Sequence, residues 1–249
     1  MTSLSQLPYT FGVLFELVLL FLLVRGSFRK YVVFSLYILT RFVTSVTVEA
    51  AYYVVGVKSV TYRTLYWSGE VTQDLLLFLV VIAFTYQALK DNPLRPKAAK
   101  ALGVIVAVTA ALPFAMLRNH HSRLYGFFSS QWFNHASQIW NFGAAIMNLV
   151  LWTALLSNRR RDPQLVTLSI GVGMATASAA IAWGARQWLT EAHRWPVDIF
   201  MAIADLASVL LWCWVFRPKA AGQSSIQTPP NSTTPSSGAP STDLLLTRP

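Results

Sequence analysis

Apolar residues run along this chain in seven long stretches separated by short polar breaks. Each stretch is continuous rather than alternating, and each approaches the roughly 20 residues a helix needs to cross a hydrocarbon layer. The pattern predicts helices over about Pro8–Val24, Tyr31–Val57, Thr64–Ala88, Ala99–Leu117, Trp132–Leu156, Pro163–Trp188 and Pro196–Phe216. Stop signals fill the breaks: Arg25 with Arg29-Lys30, Asp91-Asn92-Pro93, and Asn158-Arg159-Arg160-Arg161. Pro113 lies inside the fourth helix, where lipid tolerates it if a neighbour takes up the freed carbonyl. Arg118–Gln131 is polar and aromatic and reads as an interfacial loop. The expected fold is therefore all-α, a polytopic membrane bundle of seven transmembrane helices over residues 1–219.

From about Ala220 the chain turns to Gln, Ser, Thr, Pro and Gly. Such a stretch buries too little apolar surface to offset its ordering entropy, so 220–249 is expected to be a disordered cytoplasmic tail. Met1–Thr10 holds no Lys or Arg, so the first apolar stretch is expected to be a retained helix, not a signal peptide.

Composition supports a membrane setting. Of 249 residues, 54% are hydrophobic and 12% charged, against roughly 25% charged in a soluble domain. Mean hydropathy is +0.46. The formal charge of +10 comes with no nucleic-acid motif, so it is read as topology and contact with anionic headgroups. Thirteen Lys and Arg fall in the tail and the loops after helices one, three and five; six fall in the other loops. The richer side should be cytoplasmic, which places the N-terminus outside and the C-terminus inside. The single cysteine, Cys213, excludes an internal disulfide and any cysteine-built metal site. In the sixth helix Gly171, Ala175 and Ala179 recur at four-residue spacing, which permits close helix approach inside the bundle or at a dimer face.

Charged residues inside the apolar stretches are the candidate chemistry, because a bilayer drives them toward the bundle interior and toward partners. They are Glu16, Arg41, Glu49, Glu70, Asp74, Asp198 and Asp205. At a helical rise of about 1.5 Å per residue, Glu16 and Arg41 reach similar depths on neighbouring antiparallel helices. Arg41 is expected to pair with Glu16, as a structural ion pair, or with Asp74. Helix two carries Tyr37, Arg41, Ser45 and Glu49 as one polar stripe; helix three carries Glu70, Gln73 and Asp74. Helix five carries His135, Gln138, Asn141 and Asn148, and helix seven carries Asp198 and Asp205. Convergence of these faces predicts a ligand or ion cavity, open to the outside, formed by Glu49, Glu70, Asp74, His135, Gln138, Asn141, Asp198 and Asp205. The competing reading makes the same groups interhelical glue, at around 0.6 kcal/mol each.

Enzymatic signatures do not appear. The four histidines show no H-x-x-x-H or H-E-x-x-H spacing, and there is no G-x-S-x-G elbow. Gly171-Val172-Gly173 is an isolated pair, not a phosphate loop. A retinal protein needs a lysine within the last helix, and Lys219 lies beyond its end. No enzyme activity, cofactor or metal is expected.

Phe28-Arg29-Lys30-Tyr31-Val32-Val33-Phe34-Ser35-Leu36-Tyr37, then Arg41, then Tyr66-Trp67-Ser68-Gly69-Glu70, resembles a group of uncharacterised bacterial seven-helix integral membrane proteins. The resemblance covers helices one to three and implies a bacterial inner membrane and seven crossings. Two functions remain as expectations. One is a receptor-like or accessory membrane component with a small ligand outside and a protein partner inside. The other is a proton- or cation-coupled transporter using the intramembrane carboxylates.

Overall fold

The computed structural model describes residues 7–26, 28–90, 92–93, 95–118, 130–157, 162–189 and 195–217. These form seven α-helices: α1 (Leu7–Gly26), α2 (Val32–Val55), α3 (Val60–Ala88), α4 (Arg95–Arg118), α5 (Ser130–Ser157), α6 (Pro163–Trp188) and α7 (Trp195–Phe216). No strand occurs among the described residues. The expected tail at 220–249 and most of the expected loop at Arg118–Gln131 lie outside them. Six helices, α2 to α7, are long and apolar enough to cross a membrane. With so many large apolar side chains exposed, among them Leu14, Phe21, Val54, Val104, Leu149 and Ile181, the bundle requires a lipid surround. The chain is an integral membrane protein.

Helix ends follow local chemistry. Gly56, at a φ of 76°, terminates α2 in a conformation that side chains disfavour. Ser59 caps α3 by accepting from the Tyr62 N–H at 3.0 Å. That cap starts α3 four residues before the sequence-based boundary at Thr64. Asp162 caps α6, accepting from the N–H groups of Gln164 at 2.9 Å and Leu165 at 3.4 Å. Pro163 follows at the first helical position, where its missing N–H is harmless.

Six helices close a ring in the order α1, α2, α3, α5, α6, α7, with α1 and α7 in contact and α3 reaching across to α6. Helix α4 lies outside, packed chiefly against α3 and α5. Its apolar span is 11% buried, against 61% for α6. Pro113 in α4 cannot donate to the carbonyl four residues earlier, that of Thr109. Trp140 of α5 supplies the missing donor, its Nε1 lying 3.1 Å from Thr109 O.

The apolar core is densest where α2 begins and α3 and α7 end. Phe34, fully buried, meets Trp212 edge-on at 5.2 Å and lies 5.9–6.0 Å from Phe84 and Phe216. A Cβ on Gly171 would strike the Trp212 indole, and one on Gly173 would strike the Asn148 amide. The small residues of α6 thus serve contacts within the bundle, to α7 and α5. Lys30 Nζ reaches Asp162 Oδ2 at 3.3 Å and Gln164 Oε1 at 3.2 Å, so the α1–α2 turn and the start of α6 lie at one end of the bundle.

Candidate ligand cavity

Arg41 is the centre of the polar interior. Its Nε donates to Glu16 Oε1 at 2.5 Å. Its Nη1 and Nη2 donate to the two oxygens of Asp205 at 3.3 and 3.2 Å, the forked geometry that suits guanidinium to carboxylate. Nη1 also lies 3.3 Å from the Tyr37 hydroxyl, one helical turn away. One side chain therefore ties α1, α2 and α7 together. The expected pairing with Glu16 is present. Asp74 is not a partner; Asp205 takes that place, because α7 packs directly on α1 while Asp74 faces α5.

Beside this clamp opens a cavity of about 180 Å³. At roughly 30 Å³ of liquid volume per water, it has room for about half a dozen waters or a small ligand. Glu16 enters its wall from α1, Arg41, Ser45 and Glu49 from α2, Glu70 and Gln73 from α3, and Asp205 from α7. Gly12, Thr44, Tyr66 and valine, alanine and leucine residues form the remainder. Glu16 is 2% exposed, and its second oxygen, Oε2, is buried with no hydrogen-bond partner. Among the described residues, no three His, Cys, Asp or Glu side chains are grouped to hold a metal ion.

The structure places the sequence-predicted residues in three groups. Glu49, Glu70 and Asp205 share the cavity with the Glu16–Arg41 pair. Asp74 and Asn141 form a separate cluster, in which Asp74 Oδ2 accepts from the Ser137 hydroxyl. Asn141 Nδ2 donates to the Ser137 carbonyl at 3.0 Å. His135, Gln138 and Asp198 are not cavity-lining residues; His135 and Asp198 are exposed. The reason is the ring order. Helix α5 packs chiefly on α3, α4 and α6, so its polar residues meet α3, through Ser137 and Asp74, rather than lining the cavity between α1, α2, α3 and α7. Asp198 sits in the first turn of α7, where a carboxylate complements the helix dipole.

Sequence reasoning missed Ser137 as the partner of Asp74, although it lies one helical turn before Asn141. It also missed Tyr66 and Gly12. Gly12 lies one turn before Glu16, the spacing at which a small residue leaves space beside a buried carboxylate.

Outside the membrane-spanning segments, two groups at the α1–α2 turn titrate abnormally. Burial opposes the charge of Lys30, but hydrogen bonding and attraction from Tyr31 and Asp162 outweigh it and raise its pKa. Burial, partly offset by Lys30, raises that of the Tyr31 phenol. Compared with protein-family models, curated proteins and solved structures, the chain matches none.

Proposed function

We propose that this chain is a non-enzymatic, receptor-like or accessory component of a bacterial inner membrane. All seven helices cross, the N-terminus lies outside and the C-terminus inside. The cavity between α1, α2, α3 and α7 faces outward and receives a small ligand. The basic loops and the tail contact a protein partner in the cytoplasm. A single observation carries this reading: the intramembrane carboxylates of four helices gather in one cavity of ligand size, around an arginine already neutralised by two of them. Interhelical glue accounts for the Arg41 clamp, yet Glu49 and Glu70 have no place in that clamp and still face the same space.

A second reading, a proton- or cation-coupled transporter, is favoured by Asp74. It lies one turn beyond Glu70 on α3, about 6 Å along the helix, and no basic side chain among the described residues pairs with it. Proteoliposome flux separates the two. A pH-dependent flux abolished by Glu70→Gln or Asp74→Asn supports the transporter. Absence of flux, with a cytoplasmic partner recovered through the basic loops, supports the receptor. Neither flux nor ligand binding at the cavity would leave glue as the role of these residues.

A further inference from the structure

Away from the cavity, the structure gathers cations at one end of the bundle. Tyr31, at the start of α2, meets Phe84 of α3 edge-on at 6.0 Å and Phe216 of α7 at 5.9 Å. The α1–α2 turn, the α3–α4 turn and the end of α7 therefore share that end, and Lys30 joins the start of α6 to it. Together they carry Arg29, Lys30, Lys90, Arg95, Lys97 and Arg217. Asp162 is the one carboxylate among the described residues there, and Lys30 already holds it. Topology alone accounts for this excess of charge, but not for the way Arg95 is held.

Arg95 opens α4, and its guanidinium lies over the Tyr86 ring of α3 at 4.4 Å. Consecutive backbone turns fix this seat: the N–H groups of Lys90, Asn92 and Arg95 donate to the carbonyls of Gln87, Leu89 and Asn92 at 3.0–3.1 Å. The Arg95 side chain is partly exposed; Nε is enclosed by protein, and no carboxylate among the described residues pairs with the guanidinium. The ring thus holds the group flat and leaves Nη1 and Nη2 to fork onto an anion. Lys90, exposed, comes one helical turn after Tyr86 and adds a second cation. Toward the hydrocarbon, α4 is 11% buried and exposes Val104, Ile105 and Val108. A free anion uses only the cations and leaves this apolar face unused. A zwitterionic head brings a cation for which the described residues of the turn offer no carboxylate. We propose that the α3–α4 turn binds the phosphate of an anionic phospholipid, Arg95 forked onto it, Lys90 beside it and the acyl chains along α4.

The test uses the full chain in maltoside micelles, which carry no charged headgroup. Dioctanoyl phosphatidylglycerol, dioctanoyl phosphatidylcholine and inorganic phosphate are titrated in, and native mass spectrometry reads the lipid retained. The proposal expects saturable retention of phosphatidylglycerol over phosphatidylcholine, weakened about tenfold in Arg95→Gln, the loss of one charge-assisted contact. Tyr86→Leu weakens it with every charge in place, and Tyr86→Phe retains it. Arg25→Gln and Arg29→Gln remove the same charge elsewhere at that end and should leave retention unchanged. Equal weakening in all three arginine variants assigns the binding to diffuse charge and overturns the site. Asp91→Asn removes the acidic residue of the connecting segment and should tighten retention; its loss there would make that carboxylate the lipid contact and overturn the assignment. Phosphatidylcholine retained as tightly overturns the anionic requirement. Inorganic phosphate displacing the lipid at equal concentration assigns the site to free anions and likewise overturns it. Absence of lipid retention by a wild-type chain that melts cooperatively overturns the proposal and leaves the cavity reading standing, since the two share no residue.

Discussion

Arg41 shows how one side chain decides the stability of a region. Arg41→Met leaves the buried carboxylate of Glu16 uncompensated, at an expected cost of about 3 kcal/mol, the low end for a buried pair because Asp205 is 35% exposed. Arg41→Lys recovers only part, because an ammonium cannot match the fork onto Asp205. The combined variant Arg41→Met, Glu16→Gln, Asp205→Asn should regain most of the lost thermal stability in micelles; failure to do so would place the cost in packing rather than charge. Trp140 gives a second case. Trp140→Phe strands the Thr109 carbonyl at about 1–3 kcal/mol. Pro113→Ala restores an N–H in α4, so the double variant should lose much less than Trp140→Phe alone. Additive losses would show that the indole acts by bulk. At this scale the sequence was partly legible. Depth along two antiparallel helices brings Glu16 opposite Arg41, since both count from one hairpin. It cannot bring in Asp205, since nothing in a linear pattern says that α7 closes onto α1.

Among the elements, α6 separates glycines that look alike in sequence. Gly171→Ala meets the Trp212 indole and should cost about 1–3 kcal/mol through overpacking. Gly184 has open space around its absent Cβ, so Gly184→Ala should be neutral or stabilising by up to about 1 kcal/mol. Comparable losses in the two variants, measured by thermal unfolding, would discard this account. The link from the α1–α2 turn to α6 has a pH signature. The pKa of Lys30 is raised by folding from its ordinary 10.5, so its contribution is complete below that value and is lost as pH rises through the raised one. The contact is half exposed, and its worth is roughly a few tenths of a kcal/mol. The stability gap between wild type and Lys30→Met should therefore be small at neutral pH and vanish in strong alkali; a gap that widens would reverse the sign. The start of α6 at Pro163 was read correctly, but other boundaries slipped: the expected second helix ran to Val57, past Gly56, and α3 and α4 begin four residues before the expected Thr64 and Ala99. The face of α5 was legible only in part. Of the stripe drawn from His135, Asn141 and Asn148 are buried, but His135 itself is exposed while Asn134 and Ser137 beside it are more buried. Rotation about a helix axis depends on neighbours that periodicity alone does not identify.

In the whole molecule, ring order governs which polar faces meet, and hence which residues share the cavity. Six apolar helices and the pairing of Lys30 with Asp162 agree with loops one and five at the same surface. Single-cysteine labelling in a Cys213→Ala background checks the rest: residues 29 and 97 should be protected from impermeant reagent in intact cells, and residue 58 labelled. Label at residue 29 would reverse the orientation. The three-helix clamp also bears on how the chain is made. Glu16 emerges from the ribosome first and Asp205 last of the groups that satisfy Arg41, so an incomplete nascent chain pairs Arg41 with Glu16 but leaves its two Nη groups without their forked carboxylate. Biogenesis must wait for the final segment before the first can be secured, and products truncated ahead of α7 should be cleared by membrane proteases far faster than the complete chain.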